Sequence, residues 1–370
     1  MSPAKACTVL NLIEATLHDQ TGHSYTYAQC LIKANQNFNF ALHLWLDQRA
    51  KNLLTSIGCV SHPYFYRPLR QAQKIFLYYK LLQQPGIILV GTTELWDLKI
   101  LTFFAKRLAK RVKSKVFLHF HQFRQTTKKI TSLQQLAKHN SNFVIVTPTD
   151  KLRDIFEQNG FSECITIACP SYQREPAISN GAAQFSKVLY AGAARADKGF
   201  AQVVDVIAYD RQLGKNTPFE IQVSAPSSQR YDNATQVALE RLRALPPENL
   251  LLHANTLNKE QYLELFNNSI CLLIYQQEEY ENKFSAVALD AFYAGCPIVT
   301  AKNTWMGDMA ERYGAGIALG PVQYTAAGIV EAIEAIEQDY AGFQARARVA
   351  ARELAVLHDP RRTLEVLATC

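Results

Sequence analysis

Short apolar runs of strand length alternate with longer amphipathic stretches along almost the whole chain, and this limits the fold more than any other feature. Strands separated by helices cannot pair as hairpins. They return through crossovers, which gives parallel sheets covered by helices. The spacing predicts strands at 8–13, 40–46, 87–90, 116–120, 143–147 and 165–168, with helices at 25–34, 95–112 and 151–159. A polar stretch at 171–186, holding Pro176 and Gly181, interrupts the pattern as a linker would. The alternation then restarts, with strands at 188–191, 219–223, 250–253, 270–274 and 298–300 and helices at 199–213, 233–244, 259–267 and 285–294. Helical patterns at 326–339, at 341–356 and after Pro360 close the chain. We expect an α/β protein of two doubly wound Rossmann-like domains, 1–170 and 187–370, joined by the linker 171–186, with the last helix free to return to the first domain. Two such domains in tandem create a central cleft between the carboxyl edges of two sheets, where ligands of this architecture bind.

Composition narrows the setting. With 48% apolar and 19% charged residues, a chain of 370 residues is neither disordered nor fibrous. Its 8 cysteines lie far apart without metal-ligand spacing, and several sit inside apolar runs, as buried reduced thiols do. That points to a cytoplasmic protein. The first apolar run is too short for a signal-peptide core, and no window of about 18 apolar residues exists to span a membrane. Peripheral attachment to a membrane surface stays open.

The net charge of +7 conceals a split: residues 1–185 carry 22 Lys and Arg against 10 Asp and Glu, whereas the remainder is net acidic. Between Asp97 and Asp150 there is no acid and there are 11 cations. On a helix over 95–112, Lys99, Lys106, Arg107, Lys110 and Arg111 share one side and Leu98, Leu101, Phe104, Ala105, Leu108 and Val112 the other, with Lys113 just beyond. Such a face is either simply solvated or drawn to anionic lipid. No nucleic-acid recognition pattern accompanies it, so nucleic acid is not expected as a partner.

Two segments of the second half carry chemistry. In Tyr190-Ala191-Gly192-Ala193-Ala194-Arg195-Ala196-Asp197-Lys198-Gly199, a strand leads through a small-residue turn into a helix start. Gly192 permits close backbone approach, and Arg195 and Lys198 place two cations where a pyrophosphate would sit. A polar turn with solvated cations would read the same way. The dinucleotide fingerprint GxGxxG is absent, which disfavours nicotinamide and flavin. In the second segment, acids at 278–281 precede the apolar helix 285–294, which carries one carboxylate, Asp290. A lone carboxylate there needs a partner, and a ribose diol is one. The free backbone N–H groups of Ser285, Ala286 and Val287 could hold phosphate.

The run Asp290-Ala291-Phe292-Tyr293-Ala294-Gly295-Cys296-Pro297-Ile298-Val299 resembles the signature of the retaining glycosyltransferases of family 4, which have the GT-B fold. The resemblance implies transfer of a sugar from a UDP- or GDP-sugar to a cell-envelope glycan or lipid-linked acceptor, as in polysaccharide or lipopolysaccharide biosynthesis. Asp290 would grip the ribose, and Asn282, where the family usually has an acid, or its neighbour Glu281 would touch the donor sugar. Arg195 and Lys198 would neutralise the diphosphate. Trp305 would stack on the base or sugar, or else fill the core. In the first half, His119 and His121 point to one face of a strand. The better match to the family's histidine, which bonds the donor sugar, is His121. Gly22 takes the place of the family's glycine-rich loop. Neither metal nor cofactor is expected, the nucleotide sugar being a substrate. Two alternatives stand beside this: a catalytically silent nucleotide-sugar binder, motivated by Asn282, and a nucleotide-sugar epimerase.

Overall fold

The computed structural model describes residues 8–20, 23–51, 53, 59–139, 143–172, 184–225, 231–255 and 257–369. The chain divides into two compact units, Met1–Tyr172 with Leu357–Cys370, and Gln173–Val356.

The first unit is built on seven strands: β1 (Val9–Glu14), β2 (Ala41–Asp47), β3 (Cys59–Phe65), β4 (Gly86–Val90), β5 (Ser114–His119), β6 (Phe143–Thr147) and β7 (Cys164–Thr166). They lie in the order β3-β2-β1-β4-β5-β6-β7, with every pairing parallel. Its helices are α1 (His23–Ala34), α2 (Arg70–Leu82), α3 (Leu95–Leu108), α4 (Thr127–Ala137) and α5 (Asp150–Gln158). The central strands are continuous apolar runs because both faces are covered; every residue of β6 is buried. One core layer gathers Val116, Leu118, Leu98 and Phe156, and the opposite layer Leu10, Leu12, Leu31 and Phe117.

The second unit repeats the plan with β8 (Lys187–Tyr190), β9 (Phe219–Gln222), β10 (Leu250–His253), β11 (Ser269–Leu273), β12 (Ile298–Ala301) and β13 (Gly316–Leu319). Their order is β10-β9-β8-β11-β12-β13, again all parallel. Around them lie α6 (Phe200–Gln212), α7 (Asn233–Arg243), α8 (Lys259–Glu264), α9 (Gln277–Tyr280), α10 (Ala286–Tyr293), α11 (Trp305–Tyr313), α12 (Ala326–Gln338) and α13 (Tyr340–Leu357). Side-chain caps fix many helix starts, among them Asp232 on the Thr235 N–H and Ser285 on the Ala288 N–H. The last helix, α14 (Pro360–Ala368), packs Leu364 and Leu367 into the core of the first unit, beside α1.

Six elements were not expected from sequence: β3, β13, α2, α4, α9 and α11. The helix expected over 95–112 is shorter. It ends at Leu108, where Ala109 turns to φ 41°, and a 3-10 turn follows at Ala109–Arg111. Lys110 and Arg111 therefore do not continue the helical face of Lys99, Lys106 and Arg107, although all five are exposed.

In each unit the strand order reverses once, between β1 and β4 and between β8 and β11. Doubly wound sheets bind ligands outside the carboxyl ends of the two strands at that reversal. Those two places are where polar side chains collect.

Candidate functional site

At the reversal of the second sheet, β8 ends at Tyr190 and the chain turns through Gly192, whose φ is 95°. The Gly192 N–H donates to Gln222 Oε1 at 2.6 Å, so β9 holds the turn. A Cβ added to Gly192 would sit 2.8 Å from Lys198 Nζ and 3.6 Å from a Val287 methyl. Glycine is what lets the turn, the ammonium and the start of α10 converge. Ser285 is buried and its hydroxyl accepts from the Ala288 N–H at 3.3 Å, leaving the first amides of α10 without helical partners. Gly192, Lys198, Ser285, Ala286 and Val287 thus form one concave corner suited to a phosphate.

The two cations differ in state. Arg195 is gripped by Asp197, Nε to Oδ1 at 2.7 Å and a second bond from Nη2 to Oδ2, which holds it charged. Burial would raise Asp197, but the bonds from Arg195 outweigh it and hold the carboxyl below its usual range. Tyr280 Oη donates to the same carboxylate at 3.4 Å. Lys198 has no carboxylate partner among the described residues. Its Nζ lies 5.5 Å from the centre of the Tyr275 ring, and burial, then the neighbouring Arg195, pull its pKa down to about 8. The poorly solvated ammonium is the one that gains most from an anion.

Asp290 projects from α10, half buried, and its Oδ2 accepts from Tyr262 Oη at 3.2 Å. Part of the partner that the sequence demanded is thus internal. Asn282 and Glu281 fall in the turn between α9 and α10, Asn282 half buried and Glu281 exposed. Trp305 is 9% exposed, sits in the core cluster of the second unit and packs edge-on against Phe284 at 4.8 Å. Lys283, not singled out from sequence, adds a cation within reach of Asp197 while pairing with Glu279 at 3.3 Å.

The reversal of the first sheet holds a different chemistry. Glu14 ends β1 fully buried. Its Oε2 accepts from Thr92 Oγ1 at 3.0 Å, and its Oε1 has no partner. Burial lifts its pKa to about 8 against the opposing bonds from Thr92 and Ser24. Gly91 is needed here because a Cβ would run into that carboxylate. Beside it, Tyr27 Oη and His119 Nδ1 are 2.9 Å apart, and the rings of His119 and His121 stack at 4.3 Å. The rings do face the same way, but β5 stops at His119 and His121 lies two residues beyond. Both nitrogens of His121 are engaged, Nε2 with the Gly91 carbonyl at 2.6 Å and Nδ1 with Cys169 Sγ at 3.2 Å. His119 instead carries a buried Nε2 with no partner. Burial keeps both imidazoles neutral, His119 down to about 3. Gly22 lies outside the described residues.

A ring nitrogen of His119, one of His121 and the Cys169 sulfur lie within 4.8 Å of one another, the one such trio found among the described residues. The neutral imidazoles suit a metal. The thiol does not, because burial raises its pKa and a metal ligand must be thiolate.

Glu14, Tyr27, Cys169 and Tyr262 went unnoticed as site residues in the sequence. For Glu14 there was a signal, an acid closing the otherwise apolar run Val9–Glu14. For the others it was tertiary. Among the basic residues, Lys106, Arg107, Lys110, Arg111 and Lys113 are all exposed on the first unit, apart from this cluster of buried groups. No helix among the described residues is long and apolar enough to cross a membrane.

No family model matches the sequence, and no curated protein matches it. Solved structures do. A sucrose-phosphate synthase from Thermosynechococcus elongatus superposes with TM-score 0.71 at 14% identity, covering 98% of both chains. Anabaena HepE in complex with UDP and glucose gives 0.70 at 13% identity, covering 98% of this chain and 100% of that one. A glycosyltransferase from Rickettsia africae gives 0.71 at 12%, covering 98% of both. At such identity the likeness concerns architecture, and the architecture is GT-B: two Rossmann-like parallel-sheet domains in tandem.

Proposed function

We propose that the chain is a glycosyltransferase of the family 4 kind, moving a hexose from a UDP- or GDP-sugar to a cell-envelope glycan or lipid-linked acceptor with retention. The observation that carries this is the corner of Gly192, Lys198 and the α10 N-terminus at the reversal of the second sheet. It is supported by the GT-B architecture and by the UDP and glucose named for one structure of that architecture. In the proposed reaction the bond between the anomeric carbon and the diphosphate oxygen breaks, an acceptor hydroxyl oxygen bonds to that carbon on the same face while its proton passes to the departing diphosphate, and UDP or GDP leaves. Charge develops on the leaving diphosphate. Lys198 and the α10 amides would stabilise it, the electrostatic contribution that commonly dominates such catalysis. Arg195 would add to it, from within its pair with Asp197. Asp290, already oriented by Tyr262, would accept from the ribose hydroxyls. Asn282 or Glu281 would meet the sugar. His121 would bond a sugar hydroxyl through Nδ1 in exchange for its weak thiol contact. The scheme asks for no metal, since fixed cations and helix amides supply the positive charge, and it places the protein in the cytoplasm, with the basic surface of the first unit turned to an anionic membrane.

A thermal-shift series with UDP, GDP, ADP and their sugars tests the scheme, followed by assay of nucleotide release. Stabilisation by one diphosphate, lost in Lys198→Met, is expected. Indifference to all of them would sink the donor site. The pairing of Arg195 with Asp197 favours one second possibility, a silent nucleotide-sugar binder. It would bind the sugar nucleotide and release nothing across a broad acceptor panel.

A further inference from the structure

The first unit carries a second feature, on the outside of its helical layer. A cavity of about 500 Å³ opens between α3 and α4, its lining including Lys99, Thr102, Lys106, Ser132, Leu136 and Lys138. Every charge lining it is positive, and no acid lies between Asp97 and Asp150 to neutralise it. None of the three lysines pairs with a carboxylate among the described residues. The cavity also holds a buried donor without a partner: Thr102 is 3% exposed and its Oγ1 makes no hydrogen bond. A helical threonine ordinarily satisfies that hydroxyl on the preceding turn, so an orphan one in the lining of a cavity shared with three lysines is placed for an oxygen-rich anion. The carbonyl end of α4 contributes about half a negative charge, which three lysines outweigh.

What surrounds the cavity argues for the form in which that anion arrives. Phe103 stands next to Thr102, 51% exposed, with the Arg107 guanidinium 5.4 Å from its ring centre. On the neighbouring helix α2, Phe76 is 70% and Tyr79 47% exposed, and Tyr79 meets Phe104 of α3 at 5.5 Å. Exposed aromatics interleaved with unpaired cations, with no acid among them, make the surface of a helix that lies in a bilayer interface. A soluble anion would need the cations alone.

We propose that the α3/α4 cavity binds the phosphate of an anionic phospholipid headgroup while Phe103, Phe76 and Tyr79 rest in the interface around it. This deepens the anionic-surface part of the function proposed above and rests on it, but it is tested separately from the sugar-nucleotide site.

The test is sedimentation of the full chain with vesicles of phosphatidylcholine and phosphatidylglycerol, against phosphatidylcholine alone. Binding to the mixed vesicles only is expected, falling about fivefold for each of Lys99→Gln, Lys106→Gln and Lys138→Gln, and falling again in Phe103→Ser. Thr102→Val should weaken it at unchanged charge. Three substitutions of equal charge outside the cavity, Arg124→Gln, Lys128→Gln and Lys129→Gln, should cost clearly less. Equal losses from both triples would mean a diffuse field and overturn the cavity. So would binding that survives about 0.5 M salt unchanged. Stabilisation by inorganic phosphate that depends on the three lysines, without vesicle binding, would make this a free-anion site and overturn the lipid assignment. All but Thr102→Val are surface changes; melting temperatures of every variant report folding, and UDP stabilisation measured on the same samples reports the donor site. Loss of one without the other tells the two proposals apart.

Discussion

Glu14 and Lys198 are each held away from their ordinary protonation by burial, and each makes a pH-dependent measurement specific. Glu14 has a folded pKa of about 8 against 4.5 for the ordinary group, so between those values the native state holds a proton that the unfolded chain has lost. Stability must therefore fall as pH rises from about 5 to 8, with a limiting slope of about 1.4 kcal/mol per pH unit. Below that window both states are protonated, and above it neither is. Glu14→Gln keeps the shape and the bond from Thr92 while removing the proton. Its melting temperature should exceed that of the wild type at pH 8 and converge towards it near pH 5; parallel curves for the two proteins would refute the assignment. The buried His119 and His121 tilt the other way at lower pH. Neutral in the fold, they destabilise it as pH drops below about 6.5. Lys198 is charged below about 8 and loses its proton above. A terminal phosphate is already dianionic above about pH 7, so weakening of UDP binding between pH 7 and 9.5 would come from the lysine. Calorimetric titration should show that decline in the wild type. Lys198→Arg should bind UDP without it, and Lys198→Met should bind at least tenfold more weakly at every pH.

At the scale of elements, α10 matters most because its first turn is both a capped helix start and the proposed phosphate seat. Ser285→Ala removes the cap on Ala288, which should cost about 1 kcal/mol in thermal unfolding. UDP affinity should drop with it, since the first turn loses the bond that fixes its amides. A variant as stable as wild type but unable to bind UDP would instead put the hydroxyl itself on the ligand. Strand and helix order were legible wherever burial on both faces left an unbroken apolar run or a clean stripe, as in Phe143–Thr147 or Asn233–Arg243. Where they were not, a physical reason is visible. Cys59–Phe65 contains His62 and Pro63 and forms the outer strand of its sheet, so neither composition nor alternation marks it. Arg70–Leu82 spreads apolar residues around its circumference, because Phe76 and Tyr79 point outward while Lys74 is buried against Asp97 at 2.7 Å. The end of α3 at Leu108 depends on the backbone turn at Ala109, for which no glycine or proline gives warning. The residues of the proposed phosphate corner were legible because glycine, lysine and a helix cap are local signals. Gln222, which holds the Gly192 turn, and Tyr262, which bonds Asp290, come from elements distant in sequence and carry no motif.

For the molecule as a whole, the same topology appears twice with opposite chemistry at the reversal. The second unit offers an ammonium and free amides, a seat for negative charge. The first offers a neutral carboxyl, neutral imidazoles and a phenol, donors and acceptors matched to hydroxyl groups. Nucleotide recognition and sugar recognition should therefore separate along the chain. Hydrogen exchange followed by peptide mass analysis should show that UDP alone protects peptides over 187–200 and 275–294, in the second unit. Peptides over 9–20, 88–95 and 116–123 should respond only when the sugar is attached. His121→Ala should remove that second response, leave the first intact, and lower turnover more than UDP affinity. Protection of both sets by UDP alone would mean that the first unit senses the nucleotide, and the division of labour proposed for Glu14, His119 and His121 would have to be abandoned.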